Sequence, residues 1–186
     1  MYEHILVVGG TGMLKQATIQ LADTCKVLTS VASTRESLKR LSESLEAAVC
    51  THYALQLDWL QKQAFLDSIE SHVKNIGAPN LTLAWLHDDS MGPELASVLG
   101  HKDSDANLFF QVRGSSAVNS TGQIEALSEI RENTDSSRYF QILLGYIVDD
   151  NNVSRWLTHA EIVSGVLTAI QSPTPITHVG ILNRNQ

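Results

Sequence analysis

The sequence predicts an α/β chain built on a doubly wound parallel sheet of about seven strands. Two observations predict it. Short apolar runs alternate with stretches of helical period along the chain, the pattern of βαβ units whose sheet is covered on both faces. Glycines then follow the first apolar run directly, where a helical pattern begins. No repeat, low-complexity tract or Pro/Gly linker divides the 186 residues, so 1–186 is expected to be one domain.

Strands are predicted at 5–8, 26–31, 48–55, 81–86, 108–112, 140–148 and 178–182. Helix signals separate them. Ser33-Thr34-Arg35-Glu36 and Thr158-His159-Ala160-Glu161 each carry the hydroxyl and carboxylate of a capping box, in which two side chains satisfy orphan N–H groups reciprocally. The helix after Trp59 places Phe65, Ile69, Val73 and Ile76 on one face and stops at Gly77, with Pro79 beyond. The last helix buries Ile162, Val163, Val166, Leu167 and Ile170. Both apolar faces need a sheet to cover them.

Composition narrows the function classes. Hydrophobic residues at 43% and charged residues at 18% describe a globular chain. A formal charge of −7, with Lys and Arg scattered, provides no footprint for nucleic acid or an anionic membrane. No apolar run approaches the roughly 20 residues that span a bilayer, and neither a basic n-region nor a cleavage site is present. Two cysteines, Cys25 and Cys50, are too few for a disulfide framework and lack metal-ligand spacing. The expectations are a cytoplasmic protein, no metal, and buried thiols.

Ile5-Leu6-Val7-Val8 leads straight into Gly9-Gly10-Thr11-Gly12, after which Leu14, Ala17 and Leu21 continue at helical spacing. Glycine permits a tight turn and close backbone approach to a pyrophosphate, while the helix N-terminus favours its negative charge. The turn is therefore read as a dinucleotide site of Rossmann type, formed by Gly9, Gly10, Thr11, Gly12, Met13 and Leu14. Lys15 occupies the place of the usual third glycine, either reaching toward phosphates or standing as an exposed helix lysine. At the end of the second strand no acid is present to meet a ribose 2′-OH. Ser33, Thr34 and Arg35 stand there instead, which suits a 2′-phosphate and predicts NADP rather than NAD. The alternative for Arg35 is a solvent-exposed helix residue.

These residues resemble the short-chain dehydrogenase/reductase family over nearly the whole chain. Gly9-Gly10-Thr11-Gly12 looks like its cofactor turn. Ala32-Ser33 with Leu38 and Leu41 is spaced like its Ala-Arg followed by leucines, with Ser33 in place of the arginine. The resemblance implies that Asp58 caps the adenine edge and that Leu144-Gly145-Tyr146-Ile147 holds the nicotinamide carboxamide; Trp85 is a candidate to stack on the cofactor, with core packing the alternative. The middle of the chain departs from the pattern. Trp85-Leu86-His87-Asp88 replaces the family's Asn-Asn-Ala-Gly, and none of Tyr2, Tyr53, Tyr139 and Tyr146 has a lysine four residues later. The family's Tyr-x-x-x-Lys pair is absent, and 124–130, the expected helix, contains neither residue.

Ligands of an open parallel sheet bind beyond the carboxyl ends of its strands, so residues just after each strand are the candidates. His87 and Tyr146 are candidate proton donors, and Ser115 or Ser116 a holder of a substrate oxygen; a hydrogen-bonded histidine and a polar turn are the bland alternatives. Arg113 is a candidate anion binder, and Trp85 is read first as a core residue. His87-Asp88-Asp89 reads as a solvated loop, since consecutive residues rarely converge on one ion. Two functions follow. One is an oxidoreductase moving hydride between NADP and a small carbonyl or alcohol; the other is a non-catalytic dinucleotide-binding or sensing module. A small-molecule substrate of unknown identity and a homo-oligomer complete the expectations.

Overall fold

A computed structural model describes residues 1–100, 107–114, 138–148 and 152–182. Its elements in chain order are β1 (Tyr2–Val8), α1 (Lys15–Ala22), β2 (Cys25–Ala32), α2 (Arg35–Ser44), β3 (Thr51–Gln56), α3 (Lys62–Ile76) and β4 (Leu81–Trp85). There follow α4 (Met91–Leu99), β5 (Leu108–Arg113), β6 (Tyr139–Leu144), β7 (Tyr146–Val148), β8 (Ser154–Trp156), α5 (His159–Gln171) and β9 (Ile176–Val179). Seven strands form one sheet in the order β3-β2-β1-β4-β5-β6-β9, with every pair parallel. The chain winds outward from β1 to β3, then returns to β4 on the other side of β1. That reversal opens a crevice at the carboxyl ends of β1 and β4, the place where doubly wound sheets bind ligands.

Burial explains why β1 reads as a continuous apolar run. Ile5 and Val7 pack on one face with α1, α2 and α5, whereas Leu6 and Val8 pack on the other with α3 and α4; all four are fully buried. The predicted face of α3 is formed by Phe65, Ile69 and Val73, with Ile76 half-buried, and the helix stops at Gly77 with φ 112°. In α5, Ile162, Val163, Val166 and Ile170 are buried as expected, Ala169 joins them, and Leu167 is partly exposed.

Local chemistry corrects several expectations. The capping box at Thr158 and Glu161 forms, with Glu161 also bound by both Arg155 amino groups at 2.8 Å. The one at Ser33 does not. Thr34 caps α2 instead, accepting from the Ser37 amide, and Glu36 turns away to pair with Arg40 at 3.1 Å. One turn of helix separates Glu36 from Arg40, which makes that pairing easy. The predicted strand 140–148 is two strands, because the chain leaves the sheet at Gly145 and folds β7 back on β8 as a small antiparallel hairpin. A Cβ on Gly145 would overlap the Ile181 carbonyl, so only glycine permits this crossing. The third strand starts at Thr51 rather than 48, and the last lies at Ile176–Val179 rather than 178–182.

Candidate functional site

The glycine turn is shaped by its neighbours. Gly9 adopts φ +74°, and a Cβ there would overlap the Trp85 carbonyl at the end of β4; one on Gly10 would meet the Val7 and Thr18 side chains. The turn is thereby pressed against β4 and α1. A Cβ on Gly12, by contrast, would project into open space. The Gly9 amide donates to Val31 of β2 at 2.9 Å, whereas among the described residues the amides of Thr11, Gly12 and Met13 donate to no protein acceptor. Unused N–H groups at the start of α1 are what an anion needs.

These groups open into a cleft of about 340 Å³. Thr11, Gly12 and Met13 form its floor, Ser33, Thr34, Ser37 and Arg40 one wall, and Trp59, Trp85 and His87 the other. The aromatic wall is ordered: His87 lies parallel to Trp59, with centroids 5.7 Å apart, and meets Trp85 edge-on at 6.1 Å. Among the described residues, no aspartate or glutamate lines the cleft.

A second polar group lies inside the sheet beside α4. Arg113 at the end of β5 is 5% exposed and donates to the Asp89 carboxylate at 2.8 Å and to the Gln141 side-chain oxygen, Oε1, at 3.4 Å. The Gln111 amide donates to the Asp89 backbone carbonyl at 3.0 Å, and its side-chain oxygen accepts from the Tyr139 hydroxyl. Burial pushes the Tyr139 phenol up, well above its ordinary range. This network ties the loop after β4 to β5 and β6. Arg113 is committed to it, so the anion-binding role considered from sequence does not stand. The loop's other carboxylate, Asp88, takes the Ser90 hydroxyl and amide, which hold its pKa below the usual value.

Comparison with solved structures finds the same architecture repeatedly. A short-chain dehydrogenase from Sphingobium yanoikuyae in complex with NADPH superposes with a TM-score of 0.74 at 14% identity, covering 95% of this chain and 87% of that one. The bulky-bulky ketone specific alcohol dehydrogenase from Comamonas testosteroni gives 0.71 at 12% identity, over 98% and 88% of the two chains. An alcohol dehydrogenase from the archaeon Thermococcus sibiricus, complexed with 5-hydroxy-NADP, gives 0.63 at 12% identity over 99% of each. The fold is that of the short-chain dehydrogenases/reductases. Neither a protein-family model nor a curated protein matches the sequence.

Within this short-chain dehydrogenase fold the predicted site residues are spread over several places. Gly9, Thr11, Gly12, Met13, Ser33, Thr34, Trp85 and His87 come together around the cleft. Gly10 and Leu14 are buried, Leu14 with no exposed surface, and neither lines it. Arg35 faces a separate depression with Lys39, Ser42, Ala54 and Gln56. Asp58 stands exposed and accepts from the Leu60 amide at 3.0 Å, and Lys15 begins α1, both outside the cleft lining. Gly145, Tyr146 and Ile147 lie at the β6–β7 crossing. Two strand spacings separate β6 from β4, about 10 Å. Ser115, Ser116 and 124–130 lie outside the described residues.

Three lining residues were not singled out from sequence: Ser37, Arg40 and Trp59. The signal for two of them was available. Thr34, Ser37 and Arg40 recur at intervals of three, which puts them on one helix face, while Arg35 belongs to the next.

Proposed function

We infer that this chain binds NADP(H) in the cleft and moves hydride between it and a small carbonyl or alcohol. The observation that carries the reading is the turn at Gly9–Gly12: three amides without protein acceptors open on a cleft that has a basic, hydroxyl-bearing wall and an aromatic one. A dinucleotide needs those three surfaces. The turn amides would hold the pyrophosphate, Trp59 and His87 would flank the adenine, and the α2 wall would meet the ribose 2′ position. When bound, the nicotinamide supplies or accepts the hydride.

This chain's own residues must then manage a proton. Tyr146 is the candidate at the β6 end: its hydroxyl is buried and, among the described residues, has no hydrogen-bond partner. Leaving such a group unsatisfied costs about 1–3 kcal/mol, a cost that a substrate oxygen would remove. His87 is better suited to binding, because its ring is stacked on Trp59 at the α2 side of the crevice, away from β6. A second reading, a sensor of the dinucleotide, is favoured by the absence of a Tyr-x-x-x-Lys pair.

Calorimetric titration with NADPH tests the binding, and loss of NADPH absorbance over a panel of small ketones and aldehydes tests the chemistry. Saturable NADPH binding with turnover on any of them supports the oxidoreductase. Binding without turnover selects the sensor, and no binding of either NADPH or NADH overturns the reading.

A further inference from the structure

Cys25 opens β2, and Cys50 stands in the bend immediately before β3. Those strands are parallel neighbours whose register pairs Val27 with Thr51. Carried one residue back, the register sets Cys50 beside position 26, a single residue from Cys25. With strands about 4.8 Å apart and a rise of about 3.3 Å per residue, the two Cα atoms lie roughly 6 Å apart, inside the range that a disulfide bridges. The side chains converge as well. Cys25 is buried in the apolar cluster on the α1, α2 and α5 face, and Cys50 is half-buried and packs against that same cluster. Each thiol lies within hydrogen-bonding reach of the other, and both are free. They are the two cysteines of the chain, so neither has a competing partner within it.

We propose that Cys25 and Cys50 form a reversible disulfide by exchange with a low-molecular-weight disulfide, and that the bond clamps the loop after α2 to the start of β2. Cys50 reacts first, because solvent reaches it and not Cys25. Its thiolate attacks one sulfur of the small disulfide, forming a mixed disulfide and expelling one small thiolate. Cys25 then gives up its proton and attacks the Cys50 sulfur; the Cys25–Cys50 bond forms, the mixed bond breaks, and the second small thiolate leaves. The two protons lost by the cysteines end on the two small thiols, so the protein loses two electrons and the small disulfide gains them. Burial, together with the neighbouring Cys50 thiol, pushes the Cys25 thiol up to about 12, and burial also raises that of Cys50. Both are therefore protonated at neutral pH, which makes the bond slow to form. The same chemistry makes Cys25 a poor leaving group, so the bond is slow to be lost. It closes the loop 25–50, which contains β2 and α2, and the chain entropy it removes from the unfolded state appears as thermal stability. Both sulfurs lie at the amino ends of β2 and β3, at the far end of the sheet from the cleft, so the clamp is independent of what the cleft binds.

Incubating the intact, fully reduced protein with excess oxidised glutathione well below its melting temperature, then alkylating and weighing it, tests this. The expected product is lighter by about 2 Da, carries no alkylated cysteine, and releases on non-reducing digestion a peptide pair joining Cys25 to Cys50. Its melting temperature should exceed that of the reduced protein by roughly 5–10 °C, and dithiothreitol should reverse the shift. Cys25→Ser should stop at a glutathione adduct on Cys50, whereas Cys50→Ser should leave Cys25 unmodified over the same period. If neither variant folds, the wild-type mass and melting shift decide alone. A persistent glutathione adduct on wild-type Cys50, covalent dimers, or two thiols that still alkylate overturns the disulfide. An internal bond that fails to raise the melting temperature overturns the clamp, and modification of Cys25 ahead of Cys50 overturns the order of attack.

Discussion

The His87 imidazole lies flat against the Trp59 indole, with ring planes 12° apart. Trp59 follows β3 and His87 follows β4, so the stack joins two loops across the mouth of the crevice. If the pair flanks a base, its loss affects both cofactors alike, since both carry adenine. Trp59→Ala should weaken NADPH and NADH equally, by roughly tenfold or more. His87→Gln should weaken both and leave turnover at saturation nearly unchanged. A fall in turnover of about 10²–10⁴-fold at unchanged affinity would instead make His87 the proton donor.

Tyr146 makes the opposite prediction. Tyr146→Phe removes a buried hydroxyl that no group among the described residues satisfies, so thermal stability should stay the same or rise. Cofactor affinity should also hold, while turnover falls by about 10²–10⁴-fold. Parallel melting curves, titrations and rate measurements check all three, and unchanged turnover would exclude Tyr146 from the chemistry.

Two glycines separate cradle from scaffold. Gly9→Ala places a side chain at φ +74° and against the Trp85 carbonyl, so it should cost about 1–3 kcal/mol and abolish tight dinucleotide binding. Gly145→Ala collides with the Ile181 backbone, which lies at the β6–β7 crossing, and should cost a similar amount with a much smaller effect on binding. For a chain of this size each loss corresponds to a melting shift of several degrees, about 2–4 °C per kcal/mol. Calorimetry with and without NADPH distinguishes the two.

Acid should loosen the far end of the sheet through His4. Its Nδ1 lies 2.7 Å from the Gly77 carbonyl, which can only accept, so Nδ1 carries the proton and Nε2 accepts from the Thr29 hydroxyl at 2.9 Å. The Thr29 oxygen in turn accepts from His72 Nε2 at 2.9 Å. Burial lowers the pKa of both histidines below 6.5, that of His4 with a further contribution from the nearby His72. As pH falls through 6.5 the unfolded chain takes up protons that the native chain does not, so stability declines from there downward. Chemical denaturation at stepped pH should show this slope, and it should be shallower in His4→Asn.

The amino-acid sequence by itself determined the fold and the place of the cleft. Apolar runs such as 5–8 are legible because a strand buried on both faces needs no polar partner, and Gly9–Gly12 is legible because only glycine fits a turn this close to β4. Which side chains share the cleft was decided by tertiary structure. Arg35 and Arg40 differ in sequence by five positions, and the rotation of α2 on the sheet turns the second, not the first, toward the glycine turn. Arg113 has the appearance of an anion binder until Asp89 is brought to it from the loop after β4. Trp59 and His87 become a pair only when β3 and β4, on opposite sides of β1 and β2, end at the same level. Such contacts join residues tens of positions apart through packing of whole elements, and local periodicity carries no record of them.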